Sequence, residues 1–488
     1  MDYKHTIETE RDAAISVEAA KALYGIQAVV GTAPINLLPD PASAVNKPIV
    51  VSSRAEAKEL FGDTKDYTNY TLMQSVLASF QAFTVAPLVM INVLDPSNPA
   101  HVTAVAAAAF EVNKGRAVVE QEGILLANVT VANGETAAVL NTDYILSFDT
   151  NGYLVVTVTP DGALSSATSL NIGFKKLNPS GVTTADIIGG IDVNNNRKGI
   201  ELIDEIYPRF GIIPSLLLAP GYSKDPAVAA ALEAKAMING NIINSFAVVD
   251  LNAEGVRNIA DVPVAKDEAG LMTRWLLPVW PMVKVAGKVI SASAVYGARL
   301  QSLCVESGNV PSESSDNKDA RIDAACLSDG TEVFFTQKQI NNYLNANGIA
   351  SFLYFGGWKC WGNNTAAFPR DTVPNNRFVK CVLMGNYLEN RFKTEQLVHI
   401  GKSGSIKEMQ SVVTNFNAAL NALVPDVLAG AQILFSKDEN PMSEILQGHW
   451  TFHVQYADYI PTEYIDCKFT WDSSILENAI NTMLGGNE

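Results

Sequence analysis

Charge is scarce in this sequence. Of 488 residues only 18% are Asp, Glu, Lys or Arg, against about 25% in ordinary globular chains. Lys and Arg number 35 and Asp and Glu 51, a net −16. That balance excludes a dedicated nucleic-acid binder, which needs a basic footprint, and argues against docking on anionic lipid. Cysteine is sparse too. Cys304, Cys326, Cys360, Cys381 and Cys467 are odd in number and never two residues apart. They make neither a disulfide framework nor a zinc ribbon, and are expected to be reduced structural thiols. Apolar runs long enough for a membrane are missing. Residues 22–39 and 67–94 carry no charge, but Asn36, Pro34 and Pro39 interrupt the first, and Asn69, Gln74, Gln81 and Pro87 the second. Met1–Arg11 is polar and mixed in charge, so no secretory leader is expected.

At roughly 150 residues per domain the length suggests about three domains. Residues 1–20 lack an apolar period and read as an extended arm. Gly25–Gly31 reads as a strand, as does Pro48–Ser52. Ser53 with Glu56 forms a capping box that opens a helix ending at Gly62. Tyr70–Phe83 has helical spacing, and Leu88–Leu94 is a continuous apolar run of the kind found in buried strands. Residues 117–182 alternate apolar and polar, with Asn133-Gly134 and Asn151-Gly152 as hairpin signals, and imply an inserted all-β unit. From residue 183 the pattern turns α/β. Ser215–Ala219, a helix opened by Asp225-Pro226 and stopped near Gly240, and Ser245–Asp250 make one parallel, right-handed βαβ unit. Near the end, Trp450–Tyr456 and Ile465–Trp471 alternate with period two. A last helix follows, capped by Ser474 and Glu477 and closed by Gly485.

Signs of catalysis are few. Pro220-Gly221-Tyr222-Ser223 joins a strand to a helix, where a phosphate could sit, but neither GxGxxG nor GxxxxGK[ST] is present and Gly401–Ser405 has the wrong spacing. No nucleotide or other cofactor is expected. His449 and His453 lie four apart, which on a strand is about 13 Å, too far to share a metal ion. His5, His101 and His399 are scattered, with no recognisable triad around them, so no catalytic or metal-ligating residue is expected.

Several motifs, taken in order, are similar to those of contractile tail sheath proteins of bacteriophages and phage-like contractile injection systems. Residues 25–34 (GIQAVVGTAP) match the opening strand, and Leu217–Ser223 (LLAPGYS) a later strand and turn. Leu344–Ile349 (LNANGI) and Gly356–Thr365 (GGWKCWGNNT) are the most specific stretch, and Pro461–Ile465 (PTEYI) lies near the end. Asn364 stands where the family often has Arg, and Arg377-Phe378-Val379-Lys380 replaces its usual paired arginines.

The resemblance implies a multidomain α/β (α+β) chain. It would have an N-terminal arm (1–22), a discontinuous inner α/β domain (23–100 with 306–462), an outer α/β domain (101–116 with 183–305), the inserted β-rich domain (117–182) and a C-terminal β-arm (463–488). It implies a non-enzymatic subunit that polymerises with itself as stacked hexameric rings around an inner tail tube protein. The baseplate and a tail terminator would be further partners, the chain would be assembled in a bacterial host's cytoplasm into a virion tail or phage-like particle, and neither nucleic acid nor membrane would be bound. The apolar face of Ile465, Cys467, Phe469 and Trp471 is then the candidate inter-subunit strand. Arg377, Lys380, Arg391, Lys393, Lys402 and Lys407, set against Glu389 and Glu395, make a local +4 and the candidate contact with an acidic tube. The competing reading is an α/β, hydrolase-like enzyme with a β-sandwich accessory domain.

Overall fold

A computed structural model describes residues 20–21, 23–134, 136–237 and 243–485. Most of the expected N-terminal arm, His5 and the expected helix stop at Gly240 lie outside the described residues.

The centre of the molecule is a six-stranded sheet. Its strands run across it in the order Leu276–Val279, Phe246–Asp250, Leu216–Leu218, Gln27–Gly31, Leu88–Asn92 and Pro48–Val51. All neighbours are parallel except the last, which pairs antiparallel along one edge. The continuous apolar runs follow from this position, because strands buried on both faces have no polar side to alternate with. The expected βαβ unit is present: Leu216–Leu218 and Phe246–Asp250 are parallel, joined by helix Pro226–Ala236 with Asp225 as its N-cap. Helix Ala292–Glu306 lies against the sheet and is buried from Ala292 to Cys304. Its contact is close enough to dictate sequence, since a Cβ at Gly297 would come within 2.6 Å of Leu218 and 2.7 Å of Gln27.

Gln27, a polar residue in an otherwise apolar strand, is used rather than merely tolerated. Its Nε2 donates to Ser79 Oγ (3.0 Å) and Gln301 Oε1 (2.6 Å), and Gln301 Nε2 donates to the Pro87 carbonyl (2.8 Å). The network ties strand, helix and preceding segment together in a dry interior where polar partners are obligatory. At the first helix, Arg54–Phe61, Ser53 Oγ accepts from Glu56 N as expected, but the Glu56 carboxylate accepts from Ser52 N rather than from the cap residue itself.

Two expected boundaries are corrected. The segments assigned to separate inner and outer domains share the central sheet: Gln27–Gly31 pairs with Leu216–Leu218 on one side and Leu88–Asn92 on the other. One hydrophobic core spans both. The β-unit also begins earlier than residue 117. Val102–Glu111, placed with the outer domain, pairs along its length with Ser169–Leu177 and belongs to the same sheet as Thr130–Asn133. Its alternation is masked in sequence by Ala104 and Ala106–Ala109. A second three-stranded sheet and a separate core around Val119, Tyr144, Leu154 and Ile172 complete this unit. The Asn151-Gly152 hairpin exists, but its loop is longer than two residues, since Phe148 pairs with Leu154 and Asp149 Oδ1 accepts from Asn151 N and Tyr153 N. At Asn133-Gly134 the pairing of Asn133 with Thr136 shifts the turn one residue onward.

A third, smaller core lies C-terminal. Helix Val379–Gln396 enters it with Met384 and Leu388, helix Ile406–Asn421 adds Val412, Phe416 and Leu420, and the hairpin of Leu428–Leu434 with His453–Asp458 covers them. The first of the expected late strands therefore runs His453–Asp458 rather than 450–456, and Trp450 instead packs its ring on Phe435 (5.7 Å).

Candidate assembly surface

The hairpin Leu428–Leu434/His453–Asp458 is a sheet of only two strands. Val454 and Tyr456 turn toward the third core. Among the described residues neither outer edge pairs with another strand. On the Leu428–Leu434 edge Asn417 occupies both backbone groups of Ile433, accepting from its N (2.9 Å) and donating to its carbonyl (3.3 Å), whereas the His453–Asp458 edge offers backbone donors and acceptors of the kind that strand addition satisfies.

The chain leaves this hairpin through an anchored root. Lys380 is buried, and its Nζ reaches Asp458 Oδ2 (3.2 Å) and the Tyr459 carbonyl. Arg377 pairs with Glu463, donates from Nε to Asn364 Oδ1 (2.8 Å) and stacks over Phe368 and Phe378 at 4.3 and 4.6 Å. Asn364, the departure from the family pattern, thus acts as an acceptor for the arginine that holds the tail. Beside it Asp316 Oδ1 accepts from Gly362 N (2.7 Å), and burial pushes the Asp316 carboxyl above its ordinary range.

Beyond Glu463 the chain stands clear. Residues 463–472 form no strand, which corrects the expectation for a single copy. The four alternating residues are all exposed: Ile465 (83%), Phe469 (94%), Trp471 (80%) and Cys467. Tyr464 joins them at 82%. Single exposed apolar side chains are ordinary, but a contiguous set of large ones marks an interaction surface. The chain then forms helix Ser473–Gly485, also exposed throughout, with Ile475, Leu476, Ile480, Met483 and Leu484 on it. Its cap differs from the expected Ser474/Glu477 box, because Asp472 Oδ1 accepts from Ser474 N (2.9 Å) and Oγ (2.7 Å).

The six cations of the basic segment do not form one face. Lys380 and Arg377 hold the tail root. Arg391 pairs with Glu395 (2.7 Å), and Lys393 donates to Asn244 Oδ1 (2.6 Å) with its ammonium pushed below the usual lysine range by burial. Lys402 and Lys407 alone of the six are exposed, and they make no ion pair among the described residues.

Nothing resembling a catalytic centre accompanies this surface. Gly221 N donates to Ser291 Oγ, and Ser223 Oγ to Asp250 Oδ2, so the turn that could hold a phosphate is engaged internally. His449 pairs with Glu444 (2.9 Å) and His453 with Glu439 (3.0 Å). Burial pushes the thiols of Cys304, Cys360 and Cys381 up to about 12 and that of Cys326 to about 11, which leaves them unreactive. Among the described residues no cluster of three His, Cys, Asp or Glu could hold a metal ion, and no helix is long and apolar enough to cross a membrane.

No protein-family model matches the chain. It is 25% identical to the tail sheath protein of Burkholderia phage BcepMu over 510 aligned positions, covering 100% of this chain and 99% of that one. It is 23% identical to a putative prophage major tail sheath protein of Pseudomonas aeruginosa, over 64% of this chain and 81% of the relative. Among solved structures, it is similar to a chain of the anti-feeding prophage baseplate (TM-score 0.59, 17% identity, 97% of this chain and 100% of that one). The helical sheath of the same particle in its contracted state aligns with TM-score 0.56 and 17% identity over 97% and 100% of the two chains. The contracted sheath of an extracellular injection system, PVC, aligns with TM-score 0.56 and 13% identity over the same shares.

Proposed function

We propose that this full-length homologue of tail sheath proteins is a subunit of a contractile sheath, a structural protein of a phage tail or phage-like injection particle. The observation that carries the reading beyond similarity is the C-terminal tail. Some twenty residues leave the body with their apolar side chains in water, and the chain carries a two-stranded sheet whose His453–Asp458 edge is open. In a monomeric enzyme such a tail has no purpose and invites aggregation. In a polymer it is half of a joint: Ile465, Cys467, Phe469 and Trp471 of one copy add as a strand to the hairpin of another. The N-terminal segment, 1–22, supplies the opposite tether.

The polymer surrounds an inner tube, meets a baseplate at one end and a terminator at the other, and is assembled in the host cytoplasm. The extended sheath is metastable. On triggering, the subunits rotate as rigid bodies and repack while the strand joints keep them connected. The energy is stored at assembly, so no nucleotide is consumed. The basic segment no longer marks where the tube sits, since four of its six cations are engaged within the chain.

Negative-stain microscopy of the purified full-length chain tests the reading. Long striated tubes, found in two diameters when assembled with and without tube and baseplate, support a contractile sheath. Compact particles that never polymerise return the enzyme reading, and tubes of one fixed diameter indicate a non-contractile lattice.

A further inference from the structure

Segment 463–472 does not account for everything the tail carries. Helix Ser473–Gly485 follows it with its own apolar stripe. Ile475, Leu476, Ile480, Met483 and Leu484 recur at the spacing of one helix face, Ser474, Asn478 and Asn481 occupy the other, and Glu477, three residues before Ile480 and seven before Leu484, borders the stripe. Water is a poor environment for that stripe, and the chain's own body does not cover it.

A second unpartnered surface lies on the same chain. Between helices Val379–Gln396 and Ile406–Asn421 the connection exposes Leu397, Val398, Ile400 and Ile406, the last two at 79%. The acids around it already have partners within the chain: Glu408 bonds to the His399 ring (2.7 Å) and Glu395 pairs with Arg391 (2.7 Å). What remains is an apolar patch with Lys402 and Lys407 beside it. The terminal helix is the complement, an apolar stripe with Asp472 at its start and Glu477 in its first turns, neither of them in an ion pair among the described residues. Contact with the body ends at Glu463, held by Arg377, and residues 464–472 can then carry the helix up to about 30 Å.

Resting on the sheath reading, we infer that helix Ser473–Gly485 of one copy docks on the 397–407 connection of another copy, with Glu477 and Asp472 facing Lys402 and Lys407. The two surfaces differ, so copies can join head-to-tail. Contacts of that kind build rings where the rotation closes and open helical assemblies where it does not. The helix acts as a latch behind the added strand. It resists peeling of the strand joint when subunits rotate, and its charges bias which neighbour is chosen. This also explains four exposed apolar side chains that a purely electrostatic contact with a tube would leave in water.

Self-assembly of the full chain without tube, followed by sedimentation against concentration, tests it. Leu476→Glu with Ile480→Glu alters side chains that already face solvent, so the free subunit folds normally, and the critical concentration rises at least about tenfold. Glu477→Lys, and Lys402→Glu with Lys407→Glu, each raise it by less, and all three together bring it back toward wild type. In a Cys467→Ser background, Ile480→Cys with Ile400→Cys forms an inter-copy disulfide on oxidation. If L476E/I480E assembles as wild type while a chain ending at residue 462 does not, the helix contact is overturned and the strand joint stands. If the chain ending at 462 also assembles normally, the sheath reading of the tail falls with it. If K402E/K407E self-assembles normally and fails only on added tube, the connection belongs to the tube and the inference is overturned.

Discussion

Phe246 and Phe469 are the same residue in opposite circumstances. Phe246 opens a central strand and is wholly buried; Phe469 sits in the tail at 94% exposure. The central sheet meets its needs internally. Its four inner strands pair on both sides, Gln27 and Asn92 hydrogen-bond within the fold, and one core joins segments far apart in sequence. The tail meets almost none of its needs within one copy. The contrast shows that apolar content alone does not report stability: in one region it holds the chain together, in the other it is reserved for another molecule.

The comparison breaks most sharply at those two phenylalanines. Phe246→Ala leaves a cavity in a packed core and is expected to cost about 3–5 kcal/mol, measured by denaturant unfolding of the free subunit. Phe469→Ala is expected to leave that unfolding midpoint unchanged and to impair tube formation. A large loss of monomer stability from Phe469→Ala would mean that the tail packs on its own body in solution.

At the junction of the two regions, Lys380→Ala leaves Asp458 buried beside a lost countercharge. The expected cost is about 3–5 kcal/mol, and hydrogen exchange should rise first in the C-terminal hairpin. Glu463→Ala breaks a half-exposed pair with Arg377 and is expected to cost only about 0–1 kcal/mol, with assembly slowed because the tail root is no longer aimed. Equal effects from the two changes would erase the distinction between a buried root and a free tail.

The order of motifs placed the chain among sheath-like folds, and the buried strands were readable from Gly25–Gly31, Leu88–Leu94 and Ser245–Asp250, because period and length carry that information locally. The domain division was not readable. Which strands neighbour each other in a parallel sheet depends on contacts hundreds of residues apart, and Gln27 pairing with Leu88 on one side and Leu216 on the other leaves no local trace. Val102–Glu111 escaped the β-unit because alanines suit either face. In the tail, alternation at 465–471 picked out side chains that are all exposed, and one copy shows no strand there, since strand geometry needs a partner to supply the hydrogen bonds. Lys380 looked like surface charge in sequence and is buried; only its Asp458 partner, across the fold, explains that.

A pH-dependent effect is expected at Lys266, buried under the LNANGI motif. Its Nζ donates to the carbonyls of Asn347 (2.6 Å), Ala366 (2.8 Å) and Phe368 (3.1 Å), next to Gly348, whose φ of +66° a side chain would strain. Burial pushes its ammonium down to about 8 from an ordinary 10.5. Between those values the unfolded chain holds a proton that the folded chain has released, so stability is expected to rise with pH from about 8 to 10.5. Lys266→Met removes that slope while lowering stability overall, because three carbonyls lose their donor. Thermal unfolding across the pH range checks both, and an unchanged slope in the variant would assign it to other groups.

The central claim is that the tail is made for a second copy and not for its own. Side-by-side sedimentation and microscopy of the full chain and of a chain ending at residue 462 address it directly. The account predicts the same melting temperature for both free subunits within about 2 °C, tubes from the full chain, and folded monomers from the truncated one. Tubes from the truncated chain, or a truncated subunit that no longer folds, would contradict it.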